Sequence, residues 1–310
     1  MTRAIDKPTK SPASATITAT DYVGGTVEVP GDKSISHRVA IFSALAEGTS
    51  SIIGFLQSED CVNTLRALES LGAETDIDGD GDIKITGTGG DLIEPAHPLD
   101  FGNSGTGFRL MAGLLSGQSF VSELVGDDSL CSRPMGRICR PLEQMGASFT
   151  FLDHADRAPL QVNGGMLKAL QYTLPMASAQ VKSCLLLATL FAEGTTVIHE
   201  PRPSRDHTER LLRVLDVPIE VNGLTVRMEG CGHRGPVVEA TEWFVPGDFS
   251  SAAFWIVLAA AEEGRRITIQ NVGLNPRRTA LLDVLERMGA DIRVEVISEG
   301  DVVEPYGDIR

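Results

Sequence analysis

Gly31 to Arg38 reads GDKSISHR. A Gly-Asp turn is followed at once by Lys33, Ser34, Ser36 and Arg38, and then by an apolar run from Val39 to Leu45. The pattern predicts a helix whose mouth holds two cations and two hydroxyls. A helix start offers free backbone N–H groups and a partial positive charge, so the place suits an anion. It is not a Walker A loop, because the GxxxxGK(S/T) spacing is absent. Four further segments carry related chemistry. DFGNSGTGFR (Asp100 to Arg109) sets glycines and small hydroxyls ahead of an apolar helix, which lets backbone approach a ligand closely. CSRPMGR (Cys131 to Arg137) puts Arg133 before Pro134 at a helix start, and the planar guanidinium fork matches carboxylate or phosphate. MASAQVKS (Met176 to Ser183) opens another helix with a hydroxyl and an amide, where Ser178 also serves as an N-cap. PSRDHTER (Pro203 to Arg210) places Arg205 before an amphipathic helix, and Asp206, Thr208 and Glu209 there also fit a capping arrangement. Asp60 and Asp248 fall in turns and read as helix caps.

These cations stand in an acidic protein. The 310 residues hold 27 Lys and Arg against 42 Asp and Glu, a formal net charge of −15. Such a balance excludes nucleic-acid binding through bulk charge. An anionic ligand must be held by a local cluster. The five cysteines (Cys61, Cys131, Cys139, Cys184 and Cys231) are scattered and show no zinc spacing, so idle thiols in a reducing, cytoplasmic setting are expected and no metal. No apolar run reaches the roughly 18 residues of a membrane span. Residues 1–20 are rich in Thr, Ser, Ala and Pro and lack a secretory h-region, so a flexible tail is expected there.

The elements that position the motifs repeat. ALAEGTSSIIGF (Ala44 to Phe55), LFAEGTTVIHE (Leu190 to Glu200) and AAAEEGRRITIQ (Ala259 to Gln270) each end an apolar helix with a small turn and a β-rich stretch. LLSGQSFVSEL (Leu114 to Leu124) is a weaker copy. The turn glycines Gly48, Gly117, Gly194 and Gly264 stand 69, 77 and 70 positions apart. A second, amphipathic helix keeps the same beat at Thr64 to Glu74, Pro141 to Ser148 and Leu281 to Asp291, each closed by Gly-Ala. Leu211 to Glu220 fills the third slot with Asp-Val instead. Stretches such as Ile77 to Gly87 follow and read as hairpins. One unit is therefore helix, strand, helix and strand pair, about 70 residues long, and four units start near Ser34, Ser104, Ser178 and Phe249. The first helix of each, such as Val181 to Ala192 or Ser251 to Ala261, is nearly all apolar and is expected to be buried on every side. If the units pack around a pseudo-threefold axis, the helix starts meet on one face. That face gathers Lys33, Arg38, Arg133 and Arg205 into a site for a multiply anionic small molecule.

Together the strings GDKSISHR, GNSGTGFRL, SRPMGR, SAQVKS, SRDHTERLL and VPGDFSSAAF resemble the 5-enolpyruvylshikimate-3-phosphate (EPSP) synthase family, in the family's order, from about Val27 to Gly289. The SAQVKS and SRDHTE strings look like the bacterial class that includes glyphosate-tolerant members. The resemblance implies an α/β enolpyruvyl transferase fold, an inside-out α/β barrel with two domains of three units each. Residues 32–245 would form a complete first domain. Residues 21–31 with 246–310 would form one of three units of the second. The sequence would then be truncated at its C-terminal end by two units, or about 140 residues. The implied reaction moves the enolpyruvyl group of phosphoenolpyruvate to the 5-hydroxyl of shikimate 3-phosphate, in aromatic amino acid and chorismate biosynthesis, without metal or organic cofactor.

The resemblance also implies roles. Lys33 would touch both substrates as the catalytic cation. Ser34 and Arg38 would hold the shikimate ring and carboxylate. Ser178, Ala179, Gln180 and Arg205 would hold the 3-phosphate. Gly105, Arg133, Gln180 and Lys33 would hold phosphoenolpyruvate, with Asn103 and Thr106 supporting the loop. Gly105 is where tolerant enzymes of this class carry Ala, so the protein looks glyphosate-sensitive there. A monomer is implied, with no nucleic-acid or membrane partner. The family's acidic pair, which moves protons, would lie beyond Arg310. Two other readings stand beside this one: a non-catalytic fragment that only binds shikimate 3-phosphate, and a UDP-N-acetylglucosamine enolpyruvyl transferase. That sister family carries Asn after the first Lys and Cys in the glycine-rich loop, whereas Ser34 follows Lys33 here and Asp100 to Arg109 holds no Cys.

Overall fold

The computed structural model describes residues 16, 24–79, 81–298 and 303–310. The tail expected over residues 1–20 lies, Thr16 apart, outside the described residues, as do residues 21–23. Four apolar helices lead the four units: α1 (Lys33–Leu45), α3 (Gly105–Ser116), α6 (Ala179–Thr189) and α8 (Phe249–Ala260). Each starts on a short polar cap. Asp32 accepts from the Ser34 and Ile35 amides, Ser104 from Gly107, Ser178 from Val181, and Asp248 from Ser250. None carries an acid in its first turn; α1 and α8 meet a carboxylate only at the cap, while α3 and α6 are capped by uncharged serines and leave the positive end of the helix dipole for another partner.

The second helices are α2 (Glu59–Ser70), α5 (Gly136–Met145), α7 (His207–Val214) and α9 (Ala280–Arg287), with a single turn, α4 (Asp128–Cys131), before α5. They begin earlier and end earlier than the apolar pattern predicts. Their first turns, such as Glu59-Asp60 and Gly136-Arg137, are polar and invisible to that pattern. They stop before the Gly-Ala pairs because Gly72, Gly146 and Gly289 turn left-handed, at φ 105°, 115° and 99°. In the third unit Asp216 takes the same turn at φ 53°.

The hairpins are present. Glu74–Ile77 pairs with Ile83–Thr86, Ser148–Phe151 with Leu160–Asn163, Ile219–Asn222 with Thr225–Glu229, and Val294–Ser298 with Tyr306–Ile309, all antiparallel. The inner strand of each hairpin pairs with the strand after the first helix: Thr49–Ile53, Val121–Val125, Thr195–His199 or Arg266–Gly273. A fourth strand then adds in parallel at the edge of each sheet. Leu99–Asp100 and Gln171–Thr173 do so in the second and third units. Glu242–Phe244 supplies the edge of the first unit's sheet, and Gly24–Glu28 that of the fourth. The backbone thus crosses between the first three units and the fourth twice. The two crossings repeat one another, Val29-Pro30-Gly31-Asp32 and Val245-Pro246-Gly247-Asp248, and they pair antiparallel through Gly31 and Gly247. The Asp32 amide donates to the Pro246 carbonyl at 2.9 Å, and the Asp248 amide to Pro30 at 2.8 Å.

Apolar burial follows the same division. One cluster of buried side chains runs from Ile35 to Val245, and a second from Phe249 to Ile309, with Val27 and Val29 packed against it. In the first, α3 and α6 lie side by side in the same direction: Thr106 meets Gln180 near their starts and Gly113 lies against Cys184 one helical stretch on. A Cβ on Gly113 would fall 2.2 Å from the Cys184 carbonyl oxygen, so only glycine permits this approach. Helices α1, α3 and α6 are buried as their composition predicts. Helix α8 is not. Only Phe249, Ala252 and Ile256 are buried, while Phe254 is 80% exposed and Trp255, Val257 and Leu258 are exposed beside it. In the first three units the leading helices are enclosed by other helices, α3 and α6 by one another and α1 by α2 and α7, whereas among the described residues α8 packs mainly on strand Arg266–Gly273. A hollow of about 910 Å³ opens between the end of α8, strand Arg266–Gly273 and the segment 289–293 that follows α9, and it holds none of the site residues expected from sequence.

Candidate anion-binding site

The leading ends of α1, α3 and α6 are tied to one another. Arg38, one turn into α1, is buried, and its guanidinium donates to the Ser34 carbonyl at 2.6 Å, to Ser183 Oγ of α6 at 2.7 Å and to Thr208 Oγ1 of α7 at 2.7 Å. Its neighbour His37 is fully buried and bridges α2 and α3, with Nδ1 2.8 Å from Thr64 Oγ1 and Nε2 3.4 Å from Ser104 Oγ. Gln180, at the start of α6, donates to Thr106 Oγ1 of α3 at 3.0 Å and accepts from Arg109 Nη1 at 3.0 Å. The sequence segments centred on Lys33, Ser104 and Ser178 therefore come together in space.

The cations sort into two groups. Beside α1, Lys33 is half exposed and pairs with Asp60 at 3.0 Å. Asp60 is thus a partner of Lys33 in the first turn of α2 rather than the cap expected of it, while Asp248 does cap α8. Arg205 is exposed and reaches Ser34 Oγ at 3.3 Å. Around Gly105 lie Arg109, Arg133 and Arg137. Arg133 holds the loop through Asn103 Oδ1, and Asn103 in turn donates to Asp127 at 2.8 Å. Arg137 lies 3.4 Å from Gln180 Oε1. A Cβ on Gly105 would stand 2.7 Å from Arg109 Nη1 and 3.0 Å from Arg133 Nη1, so the glycine makes room for the guanidinium groups. Ser178 caps α6, and Ala179 is its first residue, half-buried beside Gln180.

The electrostatics agree with this grouping. Burial, with the charges of Arg137 and Arg133, lowers Arg109 to about 10. Burial likewise brings Arg38 down to about 10, against the opposing pull of Glu209 and Asp32. Arg205, though largely exposed, is partly desolvated where it meets Ser34, and this and then the Arg278 charge lower it. His37 is driven to about 3 by burial and by the neighbouring Arg38 and Lys33 charges, so it is neutral. Asp127 is held below the usual carboxylate range by hydrogen bonds from Asn103 and the Leu130 amide. An anion entering here would relieve repulsion among cations and complete the helix starts.

Carboxylates near the site are already engaged. Asp60 holds Lys33, Asp127 caps α4, and Asp32 and Asp248 cap α1 and α8. The arrangement gathers cations at helix starts. Sequence reasoning found the mouth residues but missed several partners. Arg109 stands four residues beyond Gly105, a spacing that brings its side chain back over the helix start and is readable from sequence. Asp206, Thr208 and Glu209 do not cap α7: they bind Arg210 and Arg277, Arg38, and Lys182 respectively. Among the described residues no group of His, Cys, Asp or Glu is arranged to hold a metal ion, and no helix is long and apolar enough to cross a membrane.

Residues 17–306 match the family model of EPSP synthase (3-phosphoshikimate 1-carboxyvinyltransferase). The 3-phosphoshikimate 1-carboxyvinyltransferase of Akkermansia muciniphila is 52% identical over 292 residues, which are 92% of this chain and 66% of that protein. The enzyme of the same name from Geobacillus thermodenitrificans is 49% identical, over 92% of this chain and 65% of its own length. A solved structure of EPSP synthase from Acinetobacter baumannii superposes with a TM-score of 0.84 at 45% identity, covering 92% of this chain and 64% of that one. The protein thus spans just under two thirds of the relatives it matches. It belongs to the EPSP synthase family and has that family's α/β enolpyruvyl transferase fold.

Proposed function

We propose that this protein holds shikimate 3-phosphate and phosphoenolpyruvate for enolpyruvyl transfer. The observation that carries the reading is the junction of the α1, α3 and α6 starts, with Lys33, Arg205, Arg133 and Arg109 around it and no acid in any first turn. Arg205, Ser178, Ala179 and Gln180 would take the 3-phosphate, since Arg205 and the free amides at the α6 start suit a dianion. Ser34 and Arg38 would hold the ring and carboxylate, with Arg38 held in place by its three protein acceptors. Arg133, Gly105, Gln180 and Lys33 would hold phosphoenolpyruvate, with Arg109 behind them and Asn103 and Thr106 fixing the loop. In the reaction the 5-hydroxyl oxygen adds to C2 of phosphoenolpyruvate while C3 gains a proton. Loss of phosphate and of a proton from C3 then restores the methylene. The cations named here would stabilise the charges on both phosphates and both carboxylates.

The same reading divides the sequence into residues 32–245 and residues 21–31 with 246–310. The two apolar clusters and the paired crossings support that division. It also takes the protein to be a cytoplasmic monomer inhibited by glyphosate, and the five unpaired thiols fit a reducing compartment. A second reading, binding without turnover, is favoured by one observation: each carboxylate near the site is committed to a cation or a cap. Calorimetry separates the possibilities. Shikimate 3-phosphate should bind the protein, and Arg205→Ala should weaken it by about tenfold or more. Phosphate release on adding phosphoenolpyruvate decides for transfer, and binding without release decides for the second reading. Failure of shikimate 3-phosphate to bind at all would overturn the assignment.

A further inference from the structure

Between the two apolar clusters lies a small polar junction that the binding site does not account for. Its centre is Arg278, whose side chain is 6% exposed. Nη1 donates to Asp32 at 2.8 Å and Nη2 to Asp248 at 2.9 Å, with Ser250 Oγ 2.8 Å from Nη2. The two aspartates are the corresponding residues of the repeated Val-Pro-Gly-Asp crossings, and each caps the leading helix of its own cluster. One guanidinium therefore bridges two carboxylates, Asp32 buried and Asp248 partly buried, that lie close enough to interact directly.

We propose that Arg278 is the positioning residue of this junction: by keeping Asp32 and Asp248 ionised together, it holds α1 and α8 in fixed register and so sets Lys33 and Ser34 in the anion site. The Asp32 carboxylate accepts from the Ser34 amide at 2.8 Å and the Ile35 amide at 3.1 Å through Oδ1, while Oδ2 faces Arg278. Whatever moves Asp32 moves the start of α1. Without the guanidinium, two carboxylates this close cannot both stay ionised, and they share a proton or separate. Even with Arg278 in place the two carboxyls are unequal. Burial raises Asp32, but Arg278 and then His207 outweigh it and hold its carboxyl below the usual range. Asp248 is pushed up by burial and by the charge of Asp32.

The other charged groups facing the pair are accounted for. His207 Nε2 lies 3.4 Å from Arg278 Nη1, and its Nδ1 pairs with Glu304. Arg205 feels Asp32 and Asp248 as attractive and Arg278 as repulsive. Arg38 feels Asp32 as attractive. Arg277 turns away to Asp206 at 3.3 Å, and Asn275 joins Asp206 to Glu304. None of these reaches the two carboxylates in place of Arg278.

The test compares Arg278→Met with the double variant Arg278→Met/Asp248→Asn, in the 310-residue protein. In Arg278→Met the melting temperature should fall relative to the parent as pH rises from about 5 to about 8, because the shared proton is lost over that range. Adding Asp248→Asn removes the repulsion and should restore most of the loss at about pH 8. Exchange of the Ser34 and Ile35 amides should quicken by about tenfold in the single variant and recover in the double, matching the loss and return of charge-assisted bonds. A melting loss independent of pH, or one that Asp248→Asn leaves unchanged, would overturn the proposal. So would unchanged exchange at Ser34 and Ile35. The ligand arm rests on the function proposed above: shikimate 3-phosphate affinity should drop and return in parallel. If the parent protein does not bind that ligand, the functional reading fails while the melting and exchange results still decide the role of Arg278.

Discussion

Lys182 offers the sharpest test of what holds the site rigid. Its ammonium is wholly buried between Glu200 at 2.7 Å and Glu209 at 2.6 Å, whose side chains are 3% and 2% exposed. Glu209 Oε2 has no hydrogen-bond partner among the described residues, and Ser204 donates to the other end of Glu200. The triad joins α6 to α7 and to the turn that carries Arg205, one residue after Ser204. Lys182→Met is one heavy atom shorter but keeps an unbranched apolar stem, so packing changes little. It takes from two buried carboxylates the cation they both contact, and breaking a buried pair in this way costs about 3–5 kcal/mol. For a cooperative unit of this size each kcal/mol shifts the melting temperature by about 2–4 °C, so a fall of roughly 6–20 °C is expected. Differential scanning calorimetry of the parent and variant reads it directly. Glu209→Gln in the Lys182→Met background should return a substantial part of the loss, because one of the two stranded charges is gone. A fall of less than about 3 °C, or a rise, would refute the argument, since it would mean that the carboxylates do not depend on Lys182 for their burial.

Three further outcomes are expected. Gly105→Ala should displace Arg109, whose Nη1 would lie 2.7 Å from the new Cβ, and weaken phosphoenolpyruvate and glyphosate by about tenfold while shikimate 3-phosphate affinity stays within about twofold, as read by titration. His37, held neutral at about 3, makes the folded state poorer in protons than the unfolded state between about 6.5 and about 3, so stability falls as pH drops through that window, by up to about 1.4 kcal/mol per pH unit. His37→Asn should flatten that acid limb in denaturant titrations, and an unchanged limb would assign it to other groups. Asp216→Gly puts the residue used by the other three units at a left-handed turn and should stabilise the protein by about 0.5 kcal/mol, a gain visible as a higher denaturation midpoint.

The features legible in the sequence are those that local physics writes locally. The four leading helices, their caps and the hairpins after the second helices all follow from side-chain type and spacing over a turn or two. The repeat spacing alone brings Lys33, Ser104 and Ser178 to equivalent slots. Edge strands such as Leu99–Asp100 and Gln171–Thr173 are not legible, because two or three residues carry no alternation. The composition of α8 points to burial on every side, yet burial depends on neighbours that composition does not supply, and its Phe254 faces solvent. In sequence Lys182 is part of an apolar helix, and no motif or spacing singles out Arg278. Their partners are remote: Asp32 is 246 positions from Arg278. No local pattern records such a pairing.

The exchange of edge strands has a consequence for how the protein is made. Thr49–Ile53 leaves the ribosome early, but the strand that closes its edge, Glu242–Phe244, is synthesised about 190 residues later. At 5–20 residues per second the first sheet waits on the order of 10–40 s with its outer hydrogen-bonding groups unpaired. Gly24–Glu28, the first described strand, waits longer still for Arg266–Gly273. The second and third units carry their own edge strands just ahead of them and face no such delay. Nascent copies of this protein should therefore settle from the middle outward, and the exposed edge of the first sheet is where a chaperone, or a second nascent copy, has the longest opportunity to bind.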